Sequence, residues 1–216
     1  GNLFIVALSR VTGNFERALK ESSRVLAVRG QIVPSTVEDV TLCAELDDQS
    51  TVEGESKIPH GPSPIRRVYL RPSDPPAYPE AVDAILKADM IVIGPGSLYT
   101  SIIPNLLVDG ISQAIKNSRA LKVYVCNVAT QPGETDGYAL SDHVKALHAH
   151  IGHGVFNCVL ANSRYLHYKP EWNQVAVKID DLKKAPGVTI EPADVVEESF
   201  PTRHNSMKLA QALIDL

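Results

Sequence analysis

Apolar residues recur along the chain at different spacings, and each spacing predicts a different element. Residues 1–12 and 15–29 read as two helices broken at Gly13-Asn14, the second carrying Phe15, Leu19, Val25, Leu26 and Val28 as a rough helical stripe. From about residue 31 to 70 the runs become short and β-prone: Ile32-Val33, Val40 to Ala44, Thr51-Val52 and Ile65 to Leu70. Asp47-Asp48-Gln49-Ser50 offers turn chemistry between two of them, so this stretch predicts a small antiparallel excursion.

After the proline-rich turn from Pro72 to Pro79, strand and helix alternate. Met90-Ile91-Val92-Ile93 is apolar without alternation, the pattern of a strand buried on both faces of a parallel sheet. A helix opened by Pro79, with Val82, Ile85 and Leu86 on one face, precedes it. One starting near Pro104, with Leu107, Ile111, Ala114 and Ile115, follows. Leu121 to Cys126 is the next strand, Ser141 to Ile151 a helix and Phe156 to Leu160 a further strand. A last amphipathic helix, about 204–216 with Met207, Leu209, Ala210, Leu213 and Ile214, should dock on the sheet. The alternation predicts an α/β fold: right-handed βαβ units around a mainly parallel sheet, with the core at about 65–163, in one domain spanning 1–216.

Bulk composition narrows the partners. At 216 residues and 44% hydrophobic the chain can bury one sizeable core, and a net charge of −4 without a Lys or Arg run points away from nucleic acid. Cys43, Cys126 and Cys158 lie far apart in or beside apolar runs, as expected of reduced thiols in a cytoplasmic protein. The apolar runs fall short of a bilayer span, so no membrane partner is expected. The chain opens on Gly1 and enters an apolar segment at once, which points to sequence upstream of it.

Two loops carry the candidate chemistry. Gly94-Pro95-Gly96-Ser97-Leu98-Tyr99-Thr100-Ser101 leaves the 90–93 strand with glycines that admit close backbone approach and hydroxyls where a helix begins. It reads either as an anion-binding loop or as a strand-to-helix turn capped by Ser97. It has neither the Gly-Lys-Ser/Thr ending of a Walker loop nor G-x-G-x-x-G. The second loop, Asn127-Val128-Ala129-Thr130-Gln131-Pro132-Gly133-Glu134-Thr135-Asp136-Gly137-Tyr138, leaves the following strand. Ligands of open α/β sheets settle outside the carboxyl ends of the strands, so both loops are expected to line one pocket. Asn127, Thr130 and Gln131 suit a base or sugar; Glu134 and Asp136 suit hydroxyls or a metal, or are solvated acids of a turn. Lys57, His60, Arg66 and Arg67 are a solvated edge or the basic rim of an anion site. His143, His148, His150 and His153 lack the spacing of a zinc site, and no catalytic constellation stands out. His167, within Tyr165-Leu166-His167-Tyr168, suits packing. Arg203 or His204 can reach the pocket from the start of the last helix, or serve as surface or capping groups.

These loops, with Gly1-Asn2-Leu3-Phe4, Gly54-Glu55-Ser56-Lys57-Ile58-Pro59 and the closing Arg203-His204 helix, resemble the bacterial gluconeogenesis factor (YvcK) family, in the superfamily of 2-phospho-L-lactate transferase (CofD). The resemblance runs over essentially the whole chain. It implies a Rossmann-like three-layer α/β/α fold and a cytoplasmic regulator of carbon metabolism and cell shape that binds UDP-N-acetylglucosamine or UDP-glucose without catalysis. The ligand would lie on Gly94, Pro95, Gly96, Ser97, Thr100 and Ser101, with Asn127, Thr130, Gln131 and Glu134 around it and Asn2 closing one side. The transferase branch implies an alternative, transfer of a phospholactyl group from a guanosine diphosphate donor to a deazaflavin alcohol, with Mg²⁺ held near Glu134 or Asp136. A homodimer is implied by resemblance alone. The family pattern includes a glycine-rich strand-turn ahead of residue 1 and an Asp-Asp-Gly-Gly type loop, both expected to contribute nucleotide and metal contacts, and this chain has neither.

Overall fold

A computed structural model describes residues 2–13, 15–25, 30–180 and 187–216. Two helices, α1 (Asn2–Thr12) and α2 (Phe15–Val25), form at the predicted places and pack on each other. The expected stripe is only partly inward: Ala18 and Leu19 are buried, whereas Phe15 and Val25 are exposed. Leu26 and Val28 lie outside the described residues.

The antiparallel excursion is a three-stranded sheet of order β2-β1-β3, made of β1 (Thr41–Leu46), β2 (Thr51–Glu53) and β3 (Ile65–Arg71). The 47–50 turn joins β1 to β2, with Gln49 at φ +68° and Asp48 accepting from the Ser50 N–H at 2.9 Å. Ile32-Val33 forms no strand, because among the described residues no strand pairs with it; Val33 packs on the core from an irregular segment.

Helix α3 (Pro79–Lys87) opens on its proline and leads into β4 (Met90–Ile93). A π-helical turn (Leu98–Ile102) runs into α4 (Ile103–Leu106), then α5 (Asp109–Asn117), β5 (Leu121–Val125), α6 (Leu140–Ile151) and β6 (Cys158–Asn162). The chain closes with β7 (Thr189–Ala193) and α7 (Ser206–Ile214). Strands β4-β5-β6-β7 form an all-parallel sheet in that order. Successive β5 residues serve opposite faces: Tyr124 and Cys126 join the larger core with α3 to α6, while Val123 and Val125 pack with Leu160 and Leu209 of α7.

Several expectations are corrected. Strand β4 is an edge strand, and Val92 remains 38% exposed because α7 covers Val123 and Val125 but not Val92. Leu86 points outward, and Ala81 with Val82 and Ile85 forms the inner stripe of α3. An α-helix does begin at Ile103 with Pro104 in its first turn, but a π turn from Leu98 precedes it and it ends at Leu106, so Ile111, Ala114 and Ile115 sit on the separate helix α5. Pro104 has no N–H to return to the Thr100 carbonyl, and the wider register places Ile102 N–H on the Ser97 carbonyl at 2.9 Å. On α7, Leu209, Ala212 and Leu213 dock, while Met207 and Ile214 stay exposed.

Candidate functional site

Because β4 and β5 are parallel neighbours, the segments leaving their carboxyl ends emerge side by side. Gln131 Nε2 donates to Ser97 Oγ at 2.8 Å, and Asn127 Nδ2 donates to Gln131 Oε1 at 3.3 Å. The two loops are therefore one hydrogen-bonded unit, although the participating residues lie 34 positions apart. Ser97 stands at the helix start but does not cap it; its hydroxyl faces Gln131 instead.

The capping role falls to Glu134. Its carboxylate accepts from the Tyr99 backbone N–H at 3.1 Å and from the Thr100 hydroxyl at 2.8 Å. Glu134 is 8% exposed, and burial pushes its carboxyl pKa up while the Thr100 and Tyr99 hydrogen bonds pull it down. Beside it Tyr99 and Tyr138 share a hydroxyl–hydroxyl bond of 2.8 Å. Burial with this bond pushes the Tyr99 pKa far up and keeps the phenol neutral.

Gly133, at φ +77°, lies so close to the 58–60 turn that a Cβ there would stand 1.8 Å from the Pro59 carbonyl oxygen. The antiparallel region is thus pressed directly on the second loop. Gly94 is also in the left-handed region, at φ +92°, with a virtual Cβ 3.1 Å from the Val125 carbonyl. Gly96 faces only ordinary contacts, 3.4 Å to Ser101 Cβ.

The remaining sequence candidates divide by orientation. Pro95 and Ser101 are exposed on the first loop. Thr130 is 2% exposed and accepts from the Val175 N–H at 3.0 Å, so it faces inward, holding the 173–177 segment. Asp136 accepts from the Gly133 N–H at 2.6 Å. Asn2 sits on α1, and its side chain lies outside the described residues. His204 reaches the end of β5: burial lowers its pKa, and the neutral ring can donate from Nε2 to the Cys126 carbonyl at 3.1 Å. Adjacent Arg203 stacks over Phe200 at 4.9 Å.

Hollows among the described residues flank the joined loops, three of them of note. One of about 470 Å³ runs along the outer edge of β4, with Gly94, Gly96, Ser101 and Asn105 at its polar end and Ile91 and Ile115 in its wall. A second, about 250 Å³, lies between Ser63 and the Gly133–Tyr138 stretch. The third, about 410 Å³, is lined by Thr130, Asp136, Tyr168, Lys169, Asn173 and Gln174. Among the described residues no three His, Cys, Asp or Glu side chains gather as a metal site. Glu134 spends its oxygens on Tyr99 and Thr100 of the first loop, and Asp136 accepts within its own loop.

Sequence reasoning overlooked Tyr99, Tyr138 and the segment bearing Lys169 and Gln174. Ala129 pairs with Ala176 in an isolated antiparallel bridge, a long-range contact with no periodic signal. His167 is exposed, and neighbouring Tyr168 donates to the Pro201 carbonyl at 2.7 Å. All three cysteines are buried, and no helix among the described residues is long and apolar enough to cross a membrane.

Comparison with known proteins agrees with the fold. Residues 1–196 match the family described as 2-phospho-L-lactate transferase CofD. The gluconeogenesis factor of Halalkalibacterium halodurans is 44% identical, the alignment covering 100% of this chain and 69% of that protein. That of Bacillus subtilis is 42% identical, covering 100% and 70%. A gluconeogenesis-factor relative from Nostoc sp. is 45% identical, but the chain spans 49% of its length. A crystal structure of a upf0052 family member from Bacillus halodurans superposes with a TM-score of 0.91 at 43% identity, over 99% of this chain and 71% of that one. The chain belongs to the CofD family and stands there with the gluconeogenesis factors.

Proposed function

We propose that the chain is a nucleotide-sugar-binding regulator of carbon metabolism and cell shape, its ligand a uridine diphosphate sugar such as UDP-N-acetylglucosamine or UDP-glucose. The observation that carries this reading is the Gln131–Ser97 bond, which makes one surface of two loops at the carboxyl ends of adjacent parallel strands. Backbone around Gly94 to Ser97 is open to a diphosphate, whereas Tyr99 N–H and the Thr100 hydroxyl already serve Glu134. Asn127 and Gln131 offer neutral hydrogen-bonding groups for a sugar or base, and Lys169 lines the hollow beside Thr130 and Asp136 as a cation. A binder needs no nucleophile, and the relatives carrying the name gluconeogenesis factor support a regulatory role.

Thermal melting against UDP-N-acetylglucosamine, UDP-glucose, GDP and GTP, with and without Mg²⁺, tests it. A ligand at about 100 times its dissociation constant adds about 2.7 kcal/mol, a shift of several degrees for a domain of this size. Selective stabilisation by uridine sugars is expected. Stabilisation only by guanosine nucleotides with Mg²⁺ would favour the transferase chemistry for which the matched family is described.

A further inference from the structure

Among the described residues the side of β3 away from β1 has no strand partner, yet one of its backbone donors is taken. Val68 N–H donates to His150 Nε2 on α6 at 3.0 Å. The other ring nitrogen, Nδ1, lies 2.6 Å from the Ala146 carbonyl one helical turn back and must donate to it. His150 is therefore neutral, with its proton on Nδ1. Its ring also meets Tyr99 edge-on at 5.8 Å between centroids. One imidazole thus touches the antiparallel sheet, the main α/β layer and the π-helical turn after the glycine loop.

We propose that His150 is an acid-sensitive latch that ties β3 to α6 and, through Tyr99, to the helical start of the candidate ligand loop. A proton added at Nε2 turns the acceptor into a donor facing another donor, so the Val68 bond cannot survive. The titratable and charged groups facing the ring are the Arg67 guanidinium from β3 and the Tyr99 phenol. Arg67 is paired with Glu45 at 2.7 Å, and Tyr99 is held neutral, so neither supplies a negative charge to a protonated ring. Burial opposes the cation, the Ala146 carbonyl favours it and Arg67 opposes it, the balance lowering the ring's pKa, so the latch holds near neutrality and opens below the ordinary histidine value.

The test combines histidine ¹⁵N spectroscopy with amide hydrogen exchange across about pH 7.5 to 5, corrected for intrinsic rates, on the chain and on His150→Gln. A glutamine can present its side-chain oxygen to Val68 N–H without titrating. The expected result is an Nδ1-protonated ring in the native chain, with Val68 protection falling up to about tenfold per pH unit once the ring titrates, until the chain exchanges as a whole. In His150→Gln this extra loss should vanish. An Nε2-protonated neutral ring, or Val68 protection that follows its β3 neighbours through the His150 titration, would overturn the latch. The ring spectrum of the native chain decides the tautomer even where the variant fails to fold.

Discussion

Glu134 accepts a hydrogen bond from the Thr100 hydroxyl at 2.8 Å, and through this contact the second loop caps the helical turn that follows the first. The groups that look from sequence like an anion cradle are partly filled by the protein's own carboxylate. Removing it by Glu134→Ala strands the Tyr99 N–H in a buried place, which should cost about 1–3 kcal/mol in urea unfolding. Glu134→Gln keeps the shape: its amide oxygen can accept from the Tyr99 N–H while its NH₂ donates to the Thr100 hydroxyl oxygen. Because burial raises the Glu134 pKa above its unfolded value, the fold favours the protonated acid, and ionisation weakens it as pH rises through the folded pKa. Glu134→Gln should therefore match or exceed native stability at pH 7, with the difference shrinking toward pH 4. A large loss for Glu134→Gln at pH 7 would contradict this assignment.

The Gly133–Pro59 contact makes a paired prediction. Gly133→Ala must accommodate both a left-handed backbone and a Cβ driven into the Pro59 carbonyl, and should lose at least about 2 kcal/mol. Gly137, at φ +73°, has nothing within 4 Å, so Gly137→Ala should show only the backbone cost of about 1 kcal/mol. Equal losses in chemical denaturation would mean the loops are not pressed together as described.

Acid should destabilise the chain before its carboxylates titrate. His143 is fully buried and His204 largely so, and burial lowers both pKa values below that of an unfolded histidine. Their stabilising share is complete above the unfolded value of about 6.5 and is lost as pH falls through it toward the folded values. Melting temperature should drop between about pH 7.5 and 5, and less so in His143→Gln. A flat profile over that range would refute the argument.

Much of this was legible because long-period patterns survive tertiary packing. The proline that opens α3, the 47–50 turn and the β4, β5 and β6 runs all signal themselves locally. What sequence could not show depended on partners. Ile32-Val33 has strand-like residues but, among the described residues, no strand to pair with. Strand β7, with Glu191 and Pro192, is not among the runs that the apolar pattern predicts, yet an edge strand tolerates both residues. Val92 is apolar like its neighbours, and only the placement of α7 leaves it exposed. At the site, residue types were readable but directions were not. Thr130 and Gln131 are adjacent, yet one hydroxyl holds Val175 while the other side chain spans to Ser97.

The most direct test of the nucleotide-sugar reading is calorimetric titration of UDP-N-acetylglucosamine into the native chain and into Gly96→Val. A Cβ at Gly96 meets Ser101 and Ile102 only at 3.4 and 3.6 Å, so the fold should persist while the valine branches block the approach of a diphosphate. The account predicts saturable binding to the native chain and a loss of at least about 100-fold, near 2.7 kcal/mol, in the variant. Equal affinity in both, or no binding to the native chain, would contradict it.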